Sequence, residues 1–220
     1  RSGMAGLLRD VLPARQVALD PSGRSDPSVW FDPPVRDVWL EIGFGSGEHL
    51  AAQLAAHPGV GLIGCEPYLN GVAHLLARLA GASLARVRIH PDDARPLIAS
   101  LTPACLGRAF ILFPDPWPKF RHHKRRLVSR STLDGLARAM RPGAELRIAT
   151  DDVDYLRWIL VDTLPHPAFA WLAEGPADWR ARPQDWPETR YEAKAMKAGR
   201  PPAYLRFERR QLSGPVHETA

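Results

Sequence analysis

Residues 38–47 read VWLEIGFGSG and residues 60–66 read VGLIGCE. Within them VWLEI (38–42) and VGLIGCE (60–66) are short apolar runs, the first ended by a Gly-rich stretch and the second by an acid, and each reads as a buried strand. Between them GEHLAAQLAA (47–56) reads as a helix. Working outward, YLNGVAHLLARLA (68–80) predicts a second helix, RVRIH (86–90) a third strand and ARPLIASL (94–101) a helical turn. RAFILF (108–113) reads as a fourth strand, PDPWPKFRHHKRR (114–126) as a loop, and STLDGLARAM (131–140) as a helix that stops at Pro142 and Gly143. AELRIA (144–149) predicts a fifth strand and DVDYLRWILVDTL (152–164) its helix. Strand and helix in regular succession imply an α/β fold, a doubly wound sheet of parallel strands joined by right-handed crossovers. Ligands of such a sheet bind at the carboxyl ends of its strands. Residues 1–34 mix short apolar pieces with Arg, Ser, Gly and Pro and read as an N-terminal arm, with room for flexibility and no structure assigned, leading into a single domain over 35–220.

The composition sets the outer bounds. With 220 residues, 45% hydrophobic and 24% charged, the chain can bury one sizeable core. Its apolar stretches break well before the ~18–20 residues of a membrane span, and no basic-then-apolar leader opens it. The chain starts on Arg1 rather than Met, which leaves room for residues ahead of it. Cys65 and Cys105 are the only cysteines and form no CxxC pair, so neither a disulfide scaffold nor a Cys-rich zinc site is expected and a cytoplasmic, reducing compartment fits. The net charge of +5 permits a polyanionic partner without demanding one. Residues 119–130, KFRHHKRRLVSR, hold six basic residues, two histidines and no acid, which predicts a local positive surface; a solvated helix face is the plainer alternative. His122 and His123 are adjacent and have no carboxylate at helical ligand spacing, so no metal is expected. Trp171, Trp179 and Trp186 read as packing.

Just past each strand the chain carries acid: Glu41 beside GFGSG, Glu66, Asp92 with Asp93, Asp115, and Asp151 with Asp152. One such acid is usually a helix N-cap. Five strand ends in succession describe an acidic rim, suited to a ligand that carries positive charge or presents hydroxyls and amino groups. Gly43, Gly45 and Gly47 are spaced G-x-G-x-G, with Glu48 where a dinucleotide fingerprint needs its third glycine. Glu66 lies 23 residues past Gly43, where an acid can accept both hydroxyls of a ribose. Together these features favour S-adenosylmethionine over NAD. In FPDPWPK (113–119) two prolines fix φ on either side of Asp115, and Trp117 supplies a rigid wall for a planar heterocycle.

LEIGFGSG (40–47), FPDPWPK followed by RHHKRR (121–126), IATD (148–151) and TRYE (189–192) together resemble the bacterial tRNA (guanine-N7-)-methyltransferases, over about residues 38–209. The resemblance implies a Rossmann-like class I methyltransferase fold with a mostly parallel seven-stranded sheet, S-adenosylmethionine as donor, and N7 of a guanosine in the variable loop of tRNA as acceptor. It places cofactor contacts at Glu41, Gly43, Gly45, Gly47, Glu66, Asp93 and Asp115, and makes Asp115 the catalytic carboxylate. It places substrate contacts at Lys119, Asp151, Thr189, Arg190, Tyr191 and Glu192, and RNA contacts at Arg121, His122, His123, Lys124, Arg125 and Arg126. From the residues themselves no metal, no membrane and no obligate protein partner is expected. His123 stands where the family usually has Asn, TRYE replaces TKFE or TKYE, and the tail AGRPPAYLRFERR (198–210) departs from the family pattern. A class I methyltransferase with a protein or small-molecule acceptor is the alternative, because its cofactor half would look the same. Guanine N7 carries an exposed lone pair and no proton, so its methylation calls for positioning and charge stabilisation rather than a strong base.

Overall fold

The apolar runs fold into one seven-stranded sheet: β1 Asp37–Ile42, β2 Val60–Cys65, β3 Val87–His90, β4 Leu106–Leu112, β5 Met140–Thr150, β6 Phe169–Trp171 and β7 Ala203–Arg209. The structure is a computed structural model and describes residues 3–20, 22 and 24–211. The strand order is β3-β2-β1-β4-β5-β7-β6. The first five strands pair in parallel, and β7 runs antiparallel to both β5 and β6. The helices are α1 Met4–Asp10, α2 Glu48–Ala56, α3 Leu69–Arg78, α4 Gly81–Ala85, α5 Ala94–Ser100, α6 Arg130–Ala139, α7 Val153–Thr163, α8 Pro176–Arg180 and α9 Arg190–Lys197.

Two cores lie on opposite faces of the sheet. Leu40, Ile42 and Ile63 point toward Leu97 of α5, Leu133 and Leu136 of α6, and Ile159 of α7. On the other face Trp39, Leu62 and Phe110 meet Leu50 and Leu54 of α2, Leu75 of α3 and the buried Trp186. Both faces being covered, β2 is buried at every position, which is why its sequence is a continuous apolar run rather than an alternation.

Three expectations change. The helix expected over 131–140 ends at Ala139, and Met140 already pairs with Leu106. The register then jumps to Arg108 opposite Glu145, and Pro142 and Gly143 fall in that irregularity, where a residue without an N–H and one at φ +81° are tolerated. Second, β6 and β7 escaped pattern reading: β6 is three residues long, and β7 follows directly on a proline pair. Third, the segment expected as an arm with room for flexibility lies packed on the domain. Leu12, Val17 and Phe31 are buried, and α1 packs on α3. Val17 N–H donates to the Ile89 carbonyl and Ile89 N–H to that of Arg15, at 2.9 and 2.8 Å. These residues therefore cover the outer edge of β3, which would otherwise present unpaired backbone groups.

Candidate functional site

The parallel strands end at a cleft of about 900 Å³, whose walls are the turn after β1, the starts of α3 and α5, the loop after β4 and the start of α9. The turn after β1 needs its glycines for two reasons. Gly43 and Gly45 line the cleft at φ +74° and +55°, and a Cβ added to either would meet no protein atom within 4 Å. Their missing side chains leave room for a ligand against bare backbone. Gly47, at φ +73°, does not line the cleft; a Cβ there would stand 2.5 Å from Leu75, so it serves the packing of α2 on α3.

Glu66 is buried at the end of β2, and its two oxygens accept the amides of Gly45 and Tyr68 at 2.8 and 3.0 Å. Burial pushes its carboxyl above the usual range, the two amides pull it back, and the charge of Asp115 pushes it up again. Glu41, 1% exposed, receives His49 Nδ1 at 2.8 Å. The far ring nitrogen of His49 faces the Gln53 amide at 3.3 Å, and that amide also donates to the Asp185 carbonyl at 3.0 Å. With Nε2 accepting from Gln53, Nδ1 carries the proton and donates to Glu41. Glu41, near the end of β1, is thus held by a chain of polar groups that reaches the Asp185 carbonyl.

The acidic rim divides into two kinds of acid. Asp93 and Asp152 are helix N-caps, accepting the amides of Arg95 and Tyr155 at 2.8 and 2.7 Å, and Asp93 also binds the Arg95 guanidinium at 2.6 Å. Asp93 still borders the cleft. Glu41, Glu66 and Asp115 cap no helix.

Beyond β4, Phe113 and Trp117 sit at φ +53° and +46°, bracketing Pro114-Asp115-Pro116, and both line the cleft. Left-handed backbone at two aromatic residues stores strain of roughly 1–2 kcal/mol each, held in place by the surrounding packing. Phe113 lies 5.0 Å from the Tyr191 ring. Tyr191 is pushed above its ordinary range by burial first, then by Asp151, with Asp115 adding in the same sense. Lys124 and Arg125 reach the cleft, and the Arg125 guanidinium sits 4.9 Å from the Trp117 ring centre. Lys119 and Arg121 are exposed outside it, while His122 stands edge-on to Trp117 and His123 edge-on to Trp158.

Arg126 corrects an expectation. It is 3% exposed, donates to the Pro116 carbonyl at 2.8 Å, and lies over the Tyr155 and Trp158 rings at 5.1 and 5.0 Å. It braces the loop from inside and presents no charge to a phosphate. Arg95 braces it too, donating to the carbonyls of Arg125 and Arg126.

The TRYE segment splits as well. Thr189 and Tyr191 line the cleft. The Arg190 amide and guanidinium both bind Glu48, at 2.7 and 3.1 Å, and Asp151 is engaged by the Tyr191 hydroxyl at 3.3 Å and Arg200 at 2.9 Å. Glu192, expected at the substrate, faces away: it is 3% exposed and accepts from the Tyr204 hydroxyl and from Arg182. Sequence reasoning missed the holding of Glu41 by His49 and the Glu48–Arg190 junction. The first left a signal, a histidine one helical turn before Gln53. The second joins residues 142 apart and left none. Among the described residues no helix is long and apolar enough to cross a membrane.

A family model described as "Putative methyltransferase" matches residues 35–204. The tRNA (guanine-N(7)-)-methyltransferase of Rhodospirillum rubrum is 52% identical over 93% of this chain and 81% of its own length. That of Paramagnetospirillum magneticum is 47% identical over 96% of this chain and 88% of its own. Among solved structures, the 16S rRNA (adenine(1408)-N(1))-methyltransferase from Catenulisporales acidiphilia superposes with a TM-score of 0.56 at 16% identity, covering 90% of this chain and 96% of that one, a likeness of fold alone. A seven-stranded α/β sheet with a glycine-cradled, acid-lined cleft, together with identity near one half over nearly the whole chain, establishes that this chain belongs to the family of tRNA (guanine-N(7)-)-methyltransferases.

Proposed function

We propose that the chain transfers a methyl group from S-adenosylmethionine to N7 of a guanosine in the variable loop of tRNA, acting in the cytoplasm. The donor set fits the cofactor. Gly43 and Gly45 leave open space beside bare backbone, Glu66 offers a buried carboxylate with lone pairs left for a ribose diol, and Glu41 and Asp115 favour positive charge. Asp93 borders the same space, with its carboxylate shared with its own helix. When bound, S-adenosylmethionine supplies a methyl group activated by a sulfonium.

The chain's own part is positioning. Asp115, fixed between two prolines, orients the guanine through its N–H edge and opposes the positive charge that grows on the purine as N7 is alkylated. Phe113, Trp117 and Tyr191 wall the planar ring, and Thr189 borders it. Asp151 and Arg190 act one step back, Asp151 by holding Tyr191 and Arg190 by anchoring α9 on Glu48. Lys119, Arg121, Lys124 and Arg125 serve the tRNA backbone.

The observation that carries this reading is the loop itself: an acid locked between strained aromatic residues in the cleft that also holds Glu66, with cations immediately beyond. Incubation with methyl-labelled S-adenosylmethionine and unmodified tRNA, followed by digestion to nucleosides, tests it. Label in 7-methylguanosine is the expected result. Label in another nucleoside, or none in tRNA, overturns it.

A further inference from the structure

Phe120 is the most exposed large apolar side chain among the described residues, at 87%. It opens the short 3-10 turn 120–125, directly after the loop that walls the cleft, and its chain neighbours are Lys119 and Arg121. A lone exposed apolar side chain needs no partner by itself; what singles out this ring is its place among exposed cations, beside the mouth of the cleft. A second ring lies beside it. His123 stands edge-on to it at 5.4 Å, and His123 in turn stands edge-on to Trp158 of α7 at 5.5 Å. This ladder of rings ends outward on Phe120.

We infer that Phe120 is a stacking platform for one unpaired base of the tRNA, close to the guanosine that enters the cleft. The inference rests on the reading of the substrate as tRNA and adds a base contact to it. Charge decides the class of occupant. Lys119, Arg121, Lys124 and Arg125 are exposed around Phe120, with no acid between residues 119 and 130; they disfavour a basic partner and favour a polyanion, and the polyanion that presents flat π faces is nucleic acid. Bases of folded RNA that leave their stacks rest on aromatic side chains set among cations, since every base has a π face whatever its sequence. Lys124 and Arg125, on the same turn, reach the cleft, so a base on Phe120 belongs to a nucleotide near the target.

The test compares wild type with Phe120→Ala, Phe120→Leu and Phe120→Trp, measuring the dissociation constant for an unmodified tRNA transcript at several salt concentrations and that for S-adenosylmethionine as a control of folding. Loss of one base stack weakens tRNA binding by about five- to 150-fold. Ala and Leu are both expected to show it and Trp to restore wild-type affinity. The dependence on salt should stay parallel to wild type, because no phosphate contact is removed, and S-adenosylmethionine affinity should not change. Wild-type tRNA affinity in Phe120→Ala overturns the inference, and so does full rescue by Leu, which would mean an apolar contact without stacking. If wild type methylates tRNA and Phe120→Ala binds it equally well, this inference alone fails; if wild type binds no tRNA, the substrate reading fails and takes this inference with it.

Discussion

Glu66 is a buried carboxylate that holds two backbone amides and sits within the field of a second acid, Asp115. Its raised pKa means that it loses charge at a higher pH than an ordinary glutamate. Cofactor affinity that depends on the charged acceptor should therefore fall on mild acidification, before the usual carboxylate value of 4.5 is reached. Calorimetry across that range should show this fall in wild type and its absence in Glu66→Gln. Glu66→Ala should weaken binding by about 1.5–3 kcal/mol at neutral pH. Asp115→Asn removes the charge that, after burial, raises Glu66, so it should move the acid limb of the binding profile to lower pH while reducing turnover far more than cofactor affinity. A variant with normal turnover would displace Asp115 from the reaction. At this scale the sequence was informative about which residues end the strands, because strand ends are marked by the chain's own punctuation. It could not separate an acid that caps a helix, as Asp93 and Asp152 do, from one aimed into the cleft, since both sit at the same step of the pattern. The inward turn of Arg126 was likewise invisible, being decided by Tyr155 and Trp158 from a distant helix.

Elements divide the glycines of one loop between two tasks. Gly47→Ala would force a Cβ at positive φ to within 2.5 Å of Leu75, combining left-handed strain with overpacking at about 1–3 kcal/mol each. Denaturant unfolding should show that loss with an unchanged slope, and S-adenosylmethionine affinity per folded molecule should be nearly retained. Gly45→Ala puts its Cβ into open space, so the expectation reverses: a smaller stability loss and a large loss of cofactor affinity. The Glu48–Arg190 junction ties the start of α2 to the start of α9, that is, the cofactor loop to the aromatic wall of the acceptor side. Glu48→Gln and Arg190→Gln, alone and combined in a double-mutant cycle, should each raise KM for tRNA, with the double variant no worse than the worse single one. Full additivity would mean that the two residues act separately. Of the parallel strands β2 was the plainest, because burial on both faces writes it as a continuous apolar run, while β3 and β5 carry Arg88, Glu145 and Arg147 among their apolar residues. β6 and β7 were not readable, because a three-residue strand and one that follows two prolines are defined by their partners rather than by their own pattern.

Around the cleft charge is segregated: carboxylates gather where the parallel strands end, and exposed cations gather on the turn just outside. The cleft thereby favours a small cation while the ridge beside it favours a polyanion, and the two attractions differ in range and in response to salt. If Arg121 and Lys124 meet tRNA phosphates, neutralising each phosphate releases condensed counterions, and the logarithm of affinity falls against that of salt by about 0.7–0.9 per contact. Arg121→Ala with Lys124→Ala should then flatten the slope by roughly 1.5, while S-adenosylmethionine affinity changes little. Arg126→Ala should behave in the opposite way. Its guanidinium is buried against two rings and bonded to the Pro116 carbonyl, so its loss leaves an unfilled space and an orphaned acceptor behind the loop that carries Asp115. The expected signature is a stability loss of about 1–3 kcal/mol and slower turnover, with the salt slope of tRNA binding held at its wild-type value. A salt series on the wild type, the Arg121/Lys124 double variant and Arg126→Ala separates the two roles of this one basic run. Equal slopes for all three would reduce the exposed cations to solvated surface and assign tRNA docking to another face of the protein.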